Sequence, residues 1–241
     1  MRPALRPHRG SPEAGDPALT TSSNHHRRPA AIIFDMDGVL IDSEPIGYEA
    51  MRLVMDRYGA PYDLVQNDEF VGRTSTESFR ILRARHGMTA EAEELARQFQ
   101  EAKIRIVRER GRPMLGVPDV LVRARAAGYR LALASSAETP VIDATVEALG
   151  LRDLFELRVS GWEVGRGKPA PDVFLETARR LALPPPACLV IEDSRNGLLA
   201  AKAAGMRCVA VPCEATLAHD FTEADHRVAG LPDLLPLLLG R

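Results

Sequence analysis

The sequence predicts an α/β fold in which a parallel β-sheet flanked by helices is interrupted by an inserted block of helices. Short apolar runs with β-branched residues, such as residues 30–34, alternate with segments whose apolar residues recur every three or four positions. This alternation is typical of a parallel sheet. Residues 45–112 show helical periodicity and no convincing strand, so we interpret them as an insertion.

Each predicted element has its own local signal. Within the insertion, Leu95, Phe99, Ala102 and Ile106 recur at spacings of 4, 3 and 4, which places them on one face of a helix. Glycines end several of the later helical patterns. After the first strand, strands are predicted at residues 130–135, 156–160, 187–191 and 208–211, and helices at about 118–127, 141–149, 171–183, 195–204 and 231–239.

The composition is that of an ordinary globular protein, with 45% hydrophobic residues. A net charge of −2 gives no reason to expect a nucleic acid or an acidic membrane as partner. No apolar run approaches the ~20 residues of a membrane span. Cys188, Cys208 and Cys213 form no CxxC pair and have apolar neighbours, which predicts reduced core thiols in the cytoplasm. The expected state is a monomer or a weak homodimer.

The chain is predicted to have three parts. Residues 1–29 are rich in Pro, Arg, Ser and His, and they lack the apolar stretch of a secretory signal. We expect a disordered tail or a segment upstream of the start codon in use, with an organelle-targeting peptide as the alternative. Residues 30–44 and 113–241 are predicted to form the core domain, and residues 45–112 an all-helical domain.

Polar side chains follow the predicted strands at their carboxyl ends. Ligands of open parallel sheets bind at this edge, so we expect these side chains to converge on one crevice. They are Asp35 and Asp37 after the first strand, Ser135 and Ser136 after the second, Lys168 in the loop after the third, and Glu192 and Asp193 after the fourth.

Several carboxylates crowded into one crevice repel one another, so a cation is required. The donors are hard oxygens, with no His or Cys in these segments, which favours Mg²⁺ over zinc or copper. A phosphate dianion could then approach, because Mg²⁺ and Lys168 would offset its charge. Phosphoryl transfer needs little beyond such positioning and charge stabilisation.

The spacing of the residues suggests a two-step reaction. Asp35 is predicted to attack phosphorus and form an aspartyl-phosphate. Asp37, on the same side, is predicted to protonate the leaving oxygen and then to take a proton from water. Ser135 is expected to hydrogen-bond a phosphoryl oxygen, and Ser136 either contacts the phosphate or caps its loop. The predicted catalytic residues are Asp35, Asp37, Ser135 and Lys168.

Four segments in order resemble the motifs of the haloacid dehalogenase-like phosphatases. They are residues 35–45 (DMDGVLIDSEP), 133–136 (LASS), 167–172 (GKPAPD) and 191–194 (IEDS), within a resemblance that spans residues 30–241. The resemblance implies a Rossmann-like core and a helical cap domain inserted after the first motif. It also implies an Mg²⁺-dependent phosphatase that hydrolyses small phosphorylated metabolites, such as sugar phosphates or similar phosphomonoesters.

The resemblance further implies roles for individual residues. Mg²⁺ would be bound by the carboxylates of Asp35 and Asp193 and by the backbone carbonyl of Asp37, with Glu192 as an outer-shell partner. Arg73 lies where this family usually places its specificity loop, and it is a candidate to pair with a substrate anion. Glu44 is a candidate substrate contact near the cap hinge. The alternative for Arg73 and Glu44 is an exposed side chain without such a role.

Two other functions stay open at this point. Phosphosugar mutases of the β-phosphoglucomutase type carry a His in the helix after the first motif and an Arg shortly after a cap glycine. The matching positions here are Gly47 and Ser75, which favours hydrolysis. A non-catalytic binding or regulatory domain on the same scaffold is the second alternative, and the intact motifs argue against it.

Overall fold

The computed structural model describes residues 28–70 and 74–240, and these residues form one sheet of six parallel strands. The strand order is β3-β2-β1-β4-β5-β6, so β1 lies between β2 and β4. The predicted Rossmann-like α/β fold is confirmed. The strands are β1 Ala31–Phe34, β2 Arg130–Ser135, β3 Leu157–Ser160, β4 Cys188–Glu192, β5 Arg207–Ala210 and β6 His226–Arg227.

Helices cover both faces of the sheet. One face packs against α5, α6 and α9, and the other against α7 and α8. The helices are α1 Glu44–Arg57, α2 Leu64–Phe70, α3 Ser75–His86, α4 Ala92–Arg110, α5 Val117–Ala126, α6 Thr139–Ala148, α7 Asp172–Arg180, α8 Arg195–Ala203 and α9 Leu234–Leu239.

Strand β1 shows why an uninterrupted apolar run predicts a buried strand. Successive side chains of a strand point to opposite faces. Ile32 and Phe34 therefore join one hydrophobic core while Ala31 and Ile33 join the other, and all four are fully buried. Burying a side chain such as Phe34 stabilises the fold by roughly 1.5–3 kcal/mol. A strand covered on both faces has no position for a polar residue until it ends, at Asp35.

Helices α1–α4 lie between β1 and β2 and have a hydrophobic cluster of their own. Its fully buried side chains include Val54, Phe79 and Leu95. Helix α4 packs against α1 and α3 and also against α6 of the sheet-containing part, so it links the helical insertion to the sheet. The division into core and cap domains stays a prediction. No helix in the described part of the chain combines the length and apolar character of a membrane-spanning segment.

The observed strands lie within one residue of their predicted positions, except that β6 was not predicted. This strand has two residues, His226 and Arg227, and both are exposed. It pairs with the edge of β5, where Val209 is opposite His226. Since its position depends on backbone pairing rather than on buried side chains, it leaves no apolar pattern in the sequence. Most of the predicted tail, residues 1–27, lies outside the described residues.

Candidate active site

The carboxyl ends of three adjacent strands bring the predicted polar residues together. Asp35 directly follows β1, Ser135 ends β2, and Glu192 ends β4. Lys168 reaches the same edge from the loop between β3 and α7. A cavity of about 520 Å³ opens here, and its lining includes Asp35, Asp37, Ser136, Lys168, Glu192 and Asp193.

Lys168 lies at the centre of this arrangement. Its Nζ donates hydrogen bonds to Asp35 Oδ1 and to Glu192 Oε1, both at 2.6 Å. The Lys168 side chain is only 7% exposed. Burial alone would lower the pKa of Lys168, but the charges and hydrogen bonds of Asp35 and Glu192 raise it instead. The ammonium group therefore stays charged beside the predicted nucleophile.

Glu192 has donors on both of its carboxylate oxygens. Besides Lys168, it accepts hydrogen bonds from the backbone N–H of Ser194 at 2.8 Å and from the Ser194 hydroxyl at 2.9 Å. The same hydroxyl caps α8 by accepting from the N–H of Gly197 at 3.1 Å. These contacts hold Glu192 against Lys168. The place of Glu192 outside the direct metal ligands stays a prediction.

Gly197 leaves room for the Glu192 carboxylate. A Cβ at this position would lie 1.7 Å from Glu192 Oε1 and 1.9 Å from its Cδ. Glu192 is fully buried and cannot move aside without losing its contacts to Lys168 or Ser194. Position 197 therefore requires glycine because a side chain would collide with Glu192, and not because of the backbone conformation of α8.

The Gly197→Ala substitution is expected to lower phosphate release on the order of 100-fold, because it displaces the carboxylate that positions Lys168. Steady-state kinetics on a phosphomonoester would measure this loss. Gly230→Ala is a matched control, since its Cβ would meet nothing closer than 3.7 Å and its backbone is extended. Equal activities of the two variants would contradict the role given to Gly197.

The carboxylates of Asp35, Glu192 and Asp193 fit a divalent cation. One oxygen from each lies within 4.8 Å of the others, and all three residues are buried. Burial raises the pKa of Asp35 well above its usual range, with Lys168 opposing the shift. Burial and the charge of Glu192 raise the pKa of Asp193 to about 7. A bound cation would keep both groups ionised, which a carboxylate nucleophile needs.

The side chains of Asp37 and Ser135 are neighbours in the site. The Ser135 hydroxyl lies 3.4 Å from Asp37 Oδ2 and accepts a hydrogen bond from the N–H of Ala137 at 3.0 Å. Ser135 is fully buried, whereas Asp37 is half-buried and lines the cavity. Asp37 can therefore exchange protons with a group in the cavity, while Ser135 has a fixed orientation.

Of the three residues predicted to contact the substrate, two line the cavity and one lies outside the described residues. Glu44 is the first residue of α1, is exposed, and lines the 520 Å³ cavity. Ser136 lines the same cavity. Arg73 lies outside the described residues. Gly47 and Ser75, the two positions that distinguish mutases, both line a small cavity of about 180 Å³ within the helical insertion.

Two residues near Asp193 were not predicted to belong to the site. Cys213 Sγ lies 3.3 Å from Asp193 Oδ2, and Thr216 Oγ1 lies 3.4 Å from the same oxygen. The prediction of a core thiol was wrong for Cys213, which is half-buried and lines the cavity, whereas Cys188 and Cys208 are buried. Since Cys213 follows the end of β5, the strand-end argument that found Asp35 would have found it as well.

Comparison with known proteins agrees with this geometry. The sequence profile of haloacid dehalogenase-like hydrolases matches residues 32–211. Protein CbbY of Rhodobacter capsulatus is 35% identical over 85% of this chain and 93% of its own length. The phosphorylated carbohydrates phosphatase of Thermotoga maritima is 36% identical over 73% of this chain and 82% of its own length. Further curated relatives also carry phosphatase names.

A solved structure shows the same architecture. The crystal structure of CbbY from Rhodobacter sphaeroides in complex with phosphate superposes with a TM-score of 0.79. It has 28% sequence identity and covers 86% of this chain and 96% of that one. Sequence profile, curated relatives and fold therefore agree with the motifs, and the chain belongs to the family of haloacid dehalogenase-like hydrolases.

Proposed function

We propose that this protein is an Mg²⁺-dependent phosphatase that hydrolyses small phosphorylated metabolites, such as sugar phosphates, through an aspartyl-phosphate at Asp35. The observation that carries the proposal is the contact of Lys168 with Asp35 and Glu192, in one cavity with Asp193. A buried ammonium group beside a cluster of carboxylates suits an anionic substrate. The relative from Thermotoga maritima, named for phosphorylated carbohydrates, supports the substrate class.

In the first step, an Asp35 carboxylate oxygen attacks phosphorus while the bond to the ester oxygen breaks. Lys168 already holds Asp35 Oδ1 and fixes the orientation of the carboxylate. Asp37 donates a proton to the leaving oxygen, so the product departs as a neutral alcohol. The Ser135 hydroxyl and the ammonium group of Lys168 stabilise the negative charge on the phosphoryl oxygens.

In the second step, Asp37 takes a proton from a water molecule that attacks the phosphorus of the aspartyl-phosphate. Inorganic phosphate leaves and Asp35 is regenerated as a carboxylate. The same residue thus serves as acid and then as base, which its half-buried position beside the cavity allows. In this proposal, residues 45–112 form a cap domain, and residues 30–44 and 113–241 form the core domain. Closure of the cap over the core would exclude bulk water from the site.

Mg²⁺ would be held by the carboxylates of Asp35 and Asp193 and the backbone carbonyl of Asp37. When bound, it offsets negative charge that the substrate phosphate and the carboxylates bring together. Glu192 positions Lys168 in this scheme. Gly47 and Ser75 lack the basic side chains of the mutases, and they support transfer to water rather than to a sugar hydroxyl.

The proposal is tested by phosphate release from a panel of sugar phosphates and related phosphomonoesters, with Mg²⁺ or with EDTA. We expect release with Mg²⁺ and none with EDTA, restored when Mg²⁺ is added back. Absence of release from every compound in the presence of Mg²⁺ would reject the proposal and favour a non-catalytic module. Conversion of a sugar phosphate to its isomer without free phosphate would favour a mutase.

Mg²⁺ binding is also expected to raise the melting temperature, because it relieves repulsion among buried carboxylates. A ligand at 100 times its dissociation constant stabilises the folded state by about 2.7 kcal/mol. The shift should disappear in Asp193→Asn and persist in Asp143→Asn, since Asp143 lies on α6 and pairs with Arg158 at 3.1 Å. An unchanged shift in Asp193→Asn would contradict the metal site.

We further propose a cytoplasmic monomer or weak homodimer without a nucleic-acid partner. The net charge of −2 supports the absence of a nucleic-acid partner, and the three free cysteines support a reducing compartment.

A further inference from the structure

The position of Asp37 indicates where the body of the substrate lies. As the proposed acid, Asp37 must lie next to the ester oxygen of the substrate. The leaving group is attached to that oxygen, so it must occupy space that starts beside Asp37. A second cavity of about 560 Å³ begins at Asp37, Ser136 and Lys168 and continues between the sheet and the helical insertion. This volume lies within the ~300–1,000 Å³ typical of small-molecule sites. We call it the leaving-group cavity.

The walls of the leaving-group cavity suit a polyhydroxylated chain. The helical insertion contributes Ser75, Gln100 and Lys103, and the opposite wall contributes Trp162, which is 55% exposed. An amide, a hydroxyl and an aromatic face can bind sugar hydroxyls and C–H groups. The cavity also has a positive charge at the end formed by α4, at Lys103.

Lys103 differs from the exposed arginines of α4 in its burial and in its position in the cavity lining. It is half-buried, and its Nζ lies 5.7 Å from the centre of the Phe99 ring. Among the residues that the structure describes, no carboxylate pairs with it. Elsewhere on α4, Arg97 pairs with Glu94 and Glu101, and Arg110 pairs with Glu49. Arg105 and Arg108 form no ion pair with a described residue either, but both are exposed to solvent and lie outside the cavity lining.

The remaining charges of the leaving-group cavity are already matched. The ammonium group of Lys168 is bound by Asp35 and Glu192. Asp37 is the acidic residue in the lining, and it belongs to the phosphoryl end. A half-buried cation without a carboxylate partner, in a cavity that receives the substrate, is a binding group for an anion.

We propose that Lys103 is a specificity-determining residue that binds a second anionic group, a carboxylate or a phosphate, at the far end of the substrate. The preferred substrates are then sugar or polyol phosphates that carry this second anion. The inference rests on the proposed phosphatase function, and it adds that preferred substrates carry a second anionic group.

Matched substrate pairs test the inference. For a carboxylate, 6-phosphogluconate is compared with glucose 6-phosphate, and for a second phosphate, fructose 1,6-bisphosphate with fructose 1-phosphate. We expect a higher kcat/KM for the member with the second anionic group in at least one pair. In Lys103→Met, the ratio within that pair should fall by about 10- to 100-fold, as expected for loss of a charge-assisted hydrogen bond. The pair that responds identifies the second anion.

Two further measurements separate binding from structural damage. Arg105→Met is the matched control, because Arg105 is an exposed residue on the same helix and should leave the ratios unchanged. In an Asp35→Asn background, calorimetry should show that Lys103→Met weakens binding of the member with the second anionic group more than binding of the other member.

A wild-type preference for the less charged member of both pairs would overturn the inference, and so would a ratio that Lys103→Met leaves unchanged. Both outcomes leave the phosphatase proposal intact, because phosphate is still released. If the wild type releases no phosphate from any of the four compounds or from the wider panel, the proposed function fails and this inference fails with it.

Discussion

Replacing Asp35 with asparagine is expected to abolish phosphate release while the protein stays folded. An amide is a poor nucleophile, and loss of a covalent nucleophile costs on the order of 10⁴-fold or more in turnover. Asparagine has nearly the same shape as aspartate, and it removes one charge from a group of buried carboxylates. Circular dichroism and a melting curve would establish folding, and a phosphate assay would measure the loss.

The same substitution at Asp143 provides the control, because it is partly exposed on α6 and lies outside the proposed chemistry. Asp143→Asn should keep wild-type turnover. Wild-type protein that is acid-quenched during turnover of a phosphomonoester should also carry a hydroxylamine-labile phosphate that Asp35→Asn lacks. Turnover retained in Asp35→Asn would show that another residue accepts the phosphoryl group.

Replacing Lys168 with methionine is expected to damage both activity and stability. Removing a group that stabilises transition-state charge costs roughly 10²–10³-fold in kcat. The substitution also leaves Asp35 and Glu192 buried without their cation. Breaking a buried ion pair from one side destabilises a protein by about 3–5 kcal/mol. Urea unfolding and kcat, each measured with and without Mg²⁺, would report the two effects.

Lys202 offers a matched control for Lys168. It pairs with Asp225 at 2.8 Å, but its side chain is 31% exposed and lies away from the cavity. A pair of this kind contributes at most about 1 kcal/mol. Lys202→Met should therefore cost little stability and no activity. Similar losses in the two variants would mean that Lys168 acts only as a structural cation.

The sheet could be predicted because a strand between two helical layers requires a short, nearly continuous apolar run. In β1, every residue from Ala31 to Phe34 is fully buried, so the apolar run and the strand coincide. The two residues of β6 are exposed, and only pairing with β5 defines them. No sequence pattern marks a pairing of that kind.

The site was predictable to the extent that strand ends determine it. Asp35, Lys168 and Asp193 share one cavity, as their positions relative to the strands suggested. Cys213 also follows a strand end, that of β5, and it contacts Asp193, so the same argument extends to it. The surroundings of Lys103 depended on tertiary packing instead, because the position of α4 against its neighbours determines which described residues lie near Lys103.

The location of Asp35 has a consequence for protein motions. The strand that precedes it has hydrogen-bonded partners on both edges, β2 and β4. Amide protons of such central strands exchange with solvent only through the largest opening events, whereas edge segments exchange through small local ones. Backbone amides of residues 32–34 should thus be among the slowest to exchange and those of β6 among the fastest. Local opening of the edge segments would then leave the position of the Asp35 carboxylate unchanged.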